Sequence, residues 1–237
     1  MTGVQTCALL ISAVENLTGG SNDDSFNFTG AAGSVSGTIA GGGQASADTL
    51  NYSANGGGAI SVNLQTSSAT STGGFSGIEN LVGSSNTGDT LTGADVANTG
   101  TNNAANGGTV GGFAFSAVEN LTGGTGADTF AFQVGASLSG MVDGGSGSDT
   151  LDYQSYGAEV TASLTTSGGG TATAISGGLA NIENFIGSAL SDTVSVQPLA
   201  GDARSIRGGD PAGVSPGDTL NFDAMGQSLG ITDSSMT

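Results

Sequence analysis

Short segments in which apolar and polar residues alternate recur along the whole chain. Examples are FNF at 26–28, ISVNL at 60–64, FAF at 113–115 and VSV at 194–196. Alternation with a period of two is typical of a β-strand that buries one face. No stretch shows the apolar spacing of a long amphipathic helix, and no apolar run is long enough to span a membrane. The pattern therefore predicts an all-β protein.

A short marker that repeats along the chain indicates a solenoid. An Asp followed by Ser or Thr and then an apolar residue occurs seven times, with gaps of 24, 41, 39, 21, 43 and 26 residues. These gaps lie near one or two multiples of roughly 20 to 24 residues, a period typical of solenoid coils. We therefore predict a right-handed parallel β-helix or β-roll solenoid with roughly 20 residues in each coil. The apolar residues of the markers are predicted to point into the core: Phe26, Leu50, Leu91, Phe130, Leu151, Val194 and Leu220.

A second marker, the tetrapeptide [VI]-E-N-[LF], shows a longer period. Its four glutamates are Glu15, Glu79, Glu119 and Glu183. Successive copies are 64, 40 and 64 residues apart, so alternate copies are separated by 104 residues. This spacing predicts two superrepeats, approximately 12–115 and 116–219, followed by a partial repeat. Because like side chains stack from coil to coil in a solenoid, we interpret the glutamates as structural.

Three glycine-rich nonapeptides each place a turn before a short strand. They read GGSNDDSFN at 19–27, GGTGADTFA at 123–131 and GGSGSDTLD at 144–152. They resemble the haemolysin-type (RTX) calcium-binding repeat, whose pattern is GGxGxDxUx with U a large apolar residue. The second and third copies match every fixed position, whereas the first has Asn22 in place of the third glycine. The motifs of that family usually run in uninterrupted tandem, which these do not.

The resemblance implies calcium as the cofactor. Calcium prefers six to eight oxygen ligands from carboxylates and backbone carbonyls, and two loops on adjacent coils could together supply them. Asp128 and Asp149 are 21 residues apart, about one predicted coil. In the alternative interpretation, each Asp only accepts hydrogen bonds from backbone amides of its turn. The predicted ligand residues are Gly123, Gly126, Asp128, Gly144, Gly147, Asp149, Asn22 and Asp24.

The amino-acid composition disfavours several classes of function. The 237 residues include 45 glycines and 20 acidic residues, but their only basic side chains are Arg204 and Arg207, so the net charge is −18. Such a charge disfavours binding to nucleic acid and to anionic membranes and favours a cationic partner. General acid–base catalysis most often uses His, which is absent, and Lys is absent as well. We therefore predict a protein that is not an enzyme.

Three functions remain open. The first is a calcium-binding spacer within a large secreted or cell-surface bacterial repeat protein, which places the chain outside the cell. The second is an adhesin module that binds glycan or another surface, and the third is a calcium-free structural solenoid. Residues 1–11 (MTGVQTCALLI) resemble a translated sequencing adapter and are excluded from the fold prediction. We expect the natural chain to continue beyond both ends of this sequence.

Overall fold

The computed structural model describes residues 14–43, 47–198, 204–209 and 217–223. The adapter-like segment 1–11, which contains Cys7, lies outside the described residues. Over the described part of the chain the protein is all-β, with 23 strands and no helix. Accordingly, these residues include no helix long and apolar enough to cross a bilayer. The all-β prediction is confirmed.

The strands are short, mostly between two and six residues long. In the first half of the chain they are β1 (Leu17–Thr18), β2 (Ser25–Thr29), β3 (Val35–Ala40), β4 (Thr49–Ala54), β5 (Ser61–Asn63), β6 (Ser68–Ala69), β7 (Thr72–Ser76), β8 (Asn80–Val82), β9 (Thr90–Thr92), β10 (Thr99–Ala104), β11 (Gly107–Val110) and β12 (Phe113–Ser116). In the second half they are β13 (Asn120–Gly124), β14 (Thr129–Phe132), β15 (Val142–Gly145), β16 (Thr150–Asp152), β17 (Thr161–Leu164), β18 (Gly170–Ala172), β19 (Ile175–Ala180), β20 (Asn184–Ile186), β21 (Thr193–Val196), β22 (Ser205–Arg207) and β23 (Thr219–Phe222).

Two ten-stranded sheets and one three-stranded sheet contain all of these strands. The first large sheet has the order β2-β4-β8-β12-β11-β10-β14-β16-β20-β22, and the second has the order β23-β21-β17-β18-β19-β15-β13-β9-β5-β6. From β13 to β16 the chain alternates between the two large sheets, and each strand pairs in parallel with the one before it in the same sheet. This repeating parallel arrangement is consistent with a β-solenoid-like fold.

One coil is the stretch of chain between a strand and its parallel neighbour in the same sheet, and its length varies. Asp128 and Asp149 occupy equivalent places one coil and 21 residues apart, whereas Asp149 and Glu183 are one coil and 34 residues apart. The longer coil contains β17, β18 and β19, where β18 pairs antiparallel with both of its neighbours. The expectation of roughly 20 residues in every coil is therefore wrong, because antiparallel hairpins are inserted into some coils.

The seven Asp markers fall on both large sheets. Asp24, Asp48, Asp128 and Asp149 precede strands of the first large sheet, whereas Asp89, Asp192 and Asp218 precede strands of the second. The gaps of 41, 39 and 43 residues cross from one sheet to the other. The sequence pattern predicts that these gaps are twice the length of one coil. That prediction is wrong, because each of these gaps joins strands of different sheets.

Apolar side chains stack in rows between the sheets. In the first large sheet Phe130 pairs with Leu151, which pairs with Phe185. Six of the seven predicted inward residues are buried, with Phe26 the most exposed of them at 7%. Leu220 contradicts the prediction, because 52% of its side chain is exposed. It lies on β23, the end strand of its sheet, and no described strand covers the far edge.

Candidate functional site

Carboxylates placed just before the strands connect one coil to the next. The backbone amide of Asp128 donates to Asp149 Oδ1 at 2.7 Å, and the amide of Asp149 donates to Glu183 Oε2 at 2.8 Å. On the other side, the amide of Asn98 donates to Asp128 Oδ1 at 2.7 Å. Asn98, Asp128, Asp149 and Glu183 thus form one ladder along four successive coils. We refer to it as the Asn98–Glu183 ladder.

The same contact recurs before other strands. The amide of Asp24 donates to Asp48 Oδ1 at 2.7 Å, and the amide of Asp48 donates to Glu79 Oε2 at 3.0 Å. On the second large sheet the amide of Asp89 donates to Glu119 Oε2 at 3.0 Å. Three glutamates of the tetrapeptide thus accept amide hydrogen bonds at places that Asp occupies on other coils. These hydrogen bonds connect neighbouring coils, as is expected of residues with a structural role.

Three loops of six residues lie directly on top of one another, and each ends at a residue of the Asn98–Glu183 ladder. They are Gly93–Asn98, Gly123–Asp128 and Gly144–Asp149, and we call them the loop stack. Strand pairing fixes their register, because Thr122 pairs with both Thr92 and Asp143. Past the loops, Thr129 pairs with both Thr99 and Thr150. The two complete nonapeptides are therefore on adjacent coils, as predicted from their spacing.

Glycine is required where these loops approach each other. A Cβ added to Gly123 would lie 2.2 Å from Asp128 Oδ2 and 2.4 Å from the carbonyl oxygen of Gly144. Such distances are far shorter than a van der Waals contact. Gly145 has a φ of +90°, a backbone conformation that residues with a Cβ rarely adopt. The glycines of the motif therefore allow the carbonyl groups of one loop to lie against the next.

In several loops outside the stack, the Asp carboxylate is satisfied within its own loop. The Oδ2 atom of Asp89 accepts from the Ser84 amide at 2.5 Å, and its Oδ1 accepts from the Ser84 hydroxyl at 3.0 Å. Ser188 makes the same pair of contacts to Asp192, at 2.6 and 2.9 Å. We call these loops closed, because both carboxylate oxygens have hydrogen-bond donors.

The two complete nonapeptides are different, because their carboxylates are only half satisfied. Asp128 and Asp149 are 2% and 0% exposed, and the Oδ2 atom of each is buried without a hydrogen-bond partner. The residues equivalent in place to Ser188 are Gly124 and Gly145, which both have positive φ values. Neither directs its amide to the carboxylate of its own loop. We call these loops open.

A buried carboxylate oxygen without a donor is energetically unfavourable. Removing a charged group from water without a partner costs several kcal/mol, on the order of the whole stability of a domain, so such groups acquire a proton or a cation. Burial raises the pKa of Asp149 from 3.8 to about 6, although the hydrogen bond from the Asp128 amide acts in the opposite direction. The nearby charges of Asp128, Glu183 and Asp143 raise it further. The open loops therefore favour a positive charge.

The first nonapeptide differs from the other two. Its Asp24 is buried, and Asp24 Oδ2 accepts a hydrogen bond from the Gly20 amide at 2.5 Å. Asn22, which replaces the third glycine, is exposed. A third unsatisfied carboxylate oxygen is Asp48 Oδ2, but part of its loop, residues 44–46, lies outside the described residues. The loop ending at Asp24 therefore resembles a closed loop.

The oxygen atoms in the loop stack that could serve as ligands to a cation are mostly backbone carbonyl oxygens. The carbonyl of Gly144 faces Gly123, and the carbonyl of Gly126 lies 2.1 Å from a Cβ placed on Gly147. Within the described ranges, no three acidic or cysteine side chains converge in a way that suits a metal ion. Any cation bound here would thus combine one or two carboxylates with several main-chain oxygens.

Sequence reasoning missed Asn98. Its side-chain amide nitrogen donates to four oxygen atoms: the carbonyls of Ala94 at 2.7 Å, Val96 at 2.8 Å and Gly123 at 3.3 Å, and Asp128 Oδ1 at 2.9 Å. The signal was present as Asn-Thr, 30 residues before Asp128-Thr129. This pair does not fit the marker, which begins with Asp and has an apolar third residue.

No protein-family model matches the sequence, and no curated protein matches it significantly. The interpretation of the loop stack therefore depends on its own geometry and on the resemblance of its two open loops to the haemolysin-type repeat.

Proposed function

We propose that the chain is a non-catalytic, calcium-binding spacer segment of a large secreted or cell-surface bacterial repeat protein. The observation that carries the proposal is the buried, unpartnered Oδ2 atom in each of the two loops with the complete nonapeptide. In the loops that end at Asp24, Asp89 and Asp192, which depart from the complete pattern, a backbone amide of the same loop donates to that atom. Among the Asp loops that the structure describes in full, the complete motif therefore coincides with the unpartnered carboxylate oxygen.

A cation satisfies the open loops at neutral pH better than a proton does. With a pKa of about 6, Asp149 loses its proton before pH 7, and its neighbours Asp128 and Glu183 are also acidic. Among common cations, calcium tolerates irregular arrangements of carbonyl and carboxylate oxygens, whereas magnesium requires a tighter octahedron. The net charge of −18 further favours a divalent cation.

The kind of site proposed here supports an extracellular location. Sites with few carboxylates bind calcium weakly, and extracellular modules typically have dissociation constants on the order of 10⁻⁴ to 10⁻³ M. Such sites are filled only where calcium is abundant, as it is outside the cell. A spacer role agrees with the extended parallel sheets, in which each coil contacts chiefly its neighbours.

We further propose that the coils wind in a right-handed parallel β-helix or β-roll. Parallel strands of one sheet that are joined through a crossover are right-handed in about 98% of known cases. The alternation of the chain between the two large sheets from β13 to β16 supplies such crossovers.

A calcium-free structural solenoid is the second candidate. It is favoured by the closed loops ending at Asp89 and Asp192, where serine supplies the donors without an ion. An adhesin that binds glycan or another surface stays a prediction, since no particular contact of the described residues favours it.

Thermal unfolding in calcium, in magnesium and in chelator tests the proposal. At free calcium about 100 times the dissociation constant, binding adds about 2.7 kcal/mol to the free energy of unfolding. For a chain of this size that corresponds to a rise of roughly 5 to 10 °C in the midpoint. Magnesium should give a smaller rise.

A double variant and a matched control separate the two candidates. Asp128→Ala with Asp149→Ala should remove most of the calcium-dependent rise, because both open loops lose their carboxylates. Asp89→Ala changes a closed loop and should lower the midpoint equally in calcium and in chelator. Equal midpoints of the wild-type protein in the two buffers would leave the calcium-free solenoid as the function.

A further inference from the structure

The third member of the loop stack, Gly93–Asn98, carries an inference that rests on the proposed function. We propose that the side-chain amide of Asn98 replaces a bound cation in this loop, and that it marks where cations bind in the two loops below. The loop stack would then hold one internal amide followed by two ions, each one coil further along.

The surroundings of Asn98 Nδ2 are those of a small cation. Four oxygen atoms lie within hydrogen-bond distance of this nitrogen, two from its own loop and two from the next coil. An amide NH₂ group has only two hydrogens, so these four acceptors share them. The arrangement brings together acceptors that would otherwise repel one another.

The Oδ2 atoms of the open loops take the place of this amide nitrogen, so a cation would lie beside Oδ2 and among the equivalent acceptors, where the amide hydrogens of Asn98 point. A Cβ on the first glycine of each loop would lie 2.9 Å from Asn98 Nδ2, 2.2 Å from Asp128 Oδ2 and 2.5 Å from Asp149 Oδ2. The same Cβ atoms would lie 2.4, 2.4 and 2.0 Å from the carbonyl of the next coil, which belongs to Gly123, Gly144 and Asn181 respectively. The three environments are thus equivalent, except that Asn98 supplies hydrogens and the two aspartates supply none.

This equivalence assigns ligands to two cation sites. Moving the four partners of Asn98 Nδ2 by one coil, and adding the carboxylate oxygen that takes the place of Nδ2, gives the first set of five oxygens. Moving them by two coils gives the second set in the same way. The first set comprises the carbonyls of Gly124, Gly126 and Gly144, with Asp128 Oδ2 and Asp149 Oδ1. The second set comprises the carbonyls of Gly145, Gly147 and Asn181, with Asp149 Oδ2 and Glu183 Oε2.

Three variants distinguish an amide that replaces an ion from an ordinary hydrogen-bonding side chain. Asn98→Asp converts the first loop into an open loop, so it should bind one calcium ion more than the wild-type protein. Asp128→Asn places an amide in the second loop, so it should bind one ion fewer. The control Asn63→Asp adds a carboxylate outside the loop stack, at a side chain whose Oδ1 accepts from the Thr66 amide, and should bind the wild-type number.

The stabilities in chelator give a second readout. Asp128→Asn should melt at a higher temperature than the wild-type protein there, because its amide satisfies the acceptors that lack a cation. Asp128→Ala, which supplies no donor, should not. Asn98→Asp should melt lower than the wild-type protein in chelator and recover in calcium.

Calcium content after dialysis, together with melts in both buffers, decides the question. The inference is overturned if Asn98→Asp binds no additional ion, or if Asp128→Asn melts no higher than the wild-type protein in chelator. A wild-type protein that binds no calcium would instead contradict the proposed function, and Asp128→Asn in chelator would still report whether an amide fits the open loop.

Discussion

Removal of calcium should leave a protein that becomes more stable as the solution is acidified, because of Asp149. The pKa of its buried carboxyl is raised to about 6 in the folded protein, against 3.8 for the ordinary side chain. Between these two values the folded state binds more protons than the unfolded state. The free energy of unfolding therefore falls as pH rises through this window, and the reduction is nearly complete at about pH 7.

The size of the effect follows from the shift. A difference of about two pKa units corresponds to roughly 3 kcal/mol between the fully protonated and the fully ionised protein. Most of the gain on acidification lies below pH 5, so that between pH 7 and pH 5 the expected gain is roughly 1 kcal/mol. Asp149→Asn has nearly the same shape without the charge and should lack this contribution.

Urea unfolding in chelator at pH 7 and pH 5 measures this contribution. For each protein, the free energy of unfolding at pH 7 is subtracted from that at pH 5. The value for Asp149→Asn is then subtracted from the value for the wild-type protein, because the other acidic groups contribute equally to both. With saturating calcium the difference should disappear or reverse, because protonation then competes with the cation. If both proteins respond identically to pH in chelator, the ionised Asp149 is not the unfavourable group that the structure indicates.

Three further changes test the account at other places. Ser188→Ala removes the hydroxyl donor to Asp192 and should cost about 1 kcal/mol of unfolding free energy equally with and without calcium; a loss confined to chelator would count against the description of that loop as closed. Gly123→Ala places a methyl group 2.2 Å from Asp128 Oδ2 and should strongly lower both the thermal midpoint and calcium binding. An unchanged midpoint would contradict the close stacking of the loops. Tyr153→Phe removes a hydrogen bond of 2.5 Å from the buried ring to the carbonyl of Thr173 and should cost about 1 to 3 kcal/mol, measured by urea unfolding; no loss would show that water replaces the hydroxyl.

Much of the strand pattern could be read directly from the sequence, because burial of alternate residues in a strand leaves a visible period. Phe130 and Leu151 point inward at the predicted places, and the loops before them lie on adjacent coils. The coil length could not be predicted. The hairpin strands β17 and β18 alternate apolar and polar residues just as coil strands do, so nothing in their pattern distinguishes an insertion from another coil.

The candidate site was only partly predictable for a related reason. The motif identifies Asp128 and Asp149, but whether a carboxylate is satisfied depends on where a neighbouring amide points. That direction changes with the φ value at Gly124 or Gly145, which a glycine in the sequence permits but does not specify. The partnership of Asp149 with Glu183 was hidden as well, because the two residues belong to different sequence markers and lie 34 residues apart.

A crystal structure of the protein grown in millimolar calcium, with anomalous scattering recorded for the ion, tests the central claim most directly. The account predicts anomalous peaks within the loop stack, each about 2.3 to 2.6 Å from its oxygen ligands. One peak should contact Asp128 Oδ2 and the next should contact Asp149 Oδ2, with none beside Asn98. A map without peaks at these two carboxylates, in crystals that contain calcium, would contradict the account.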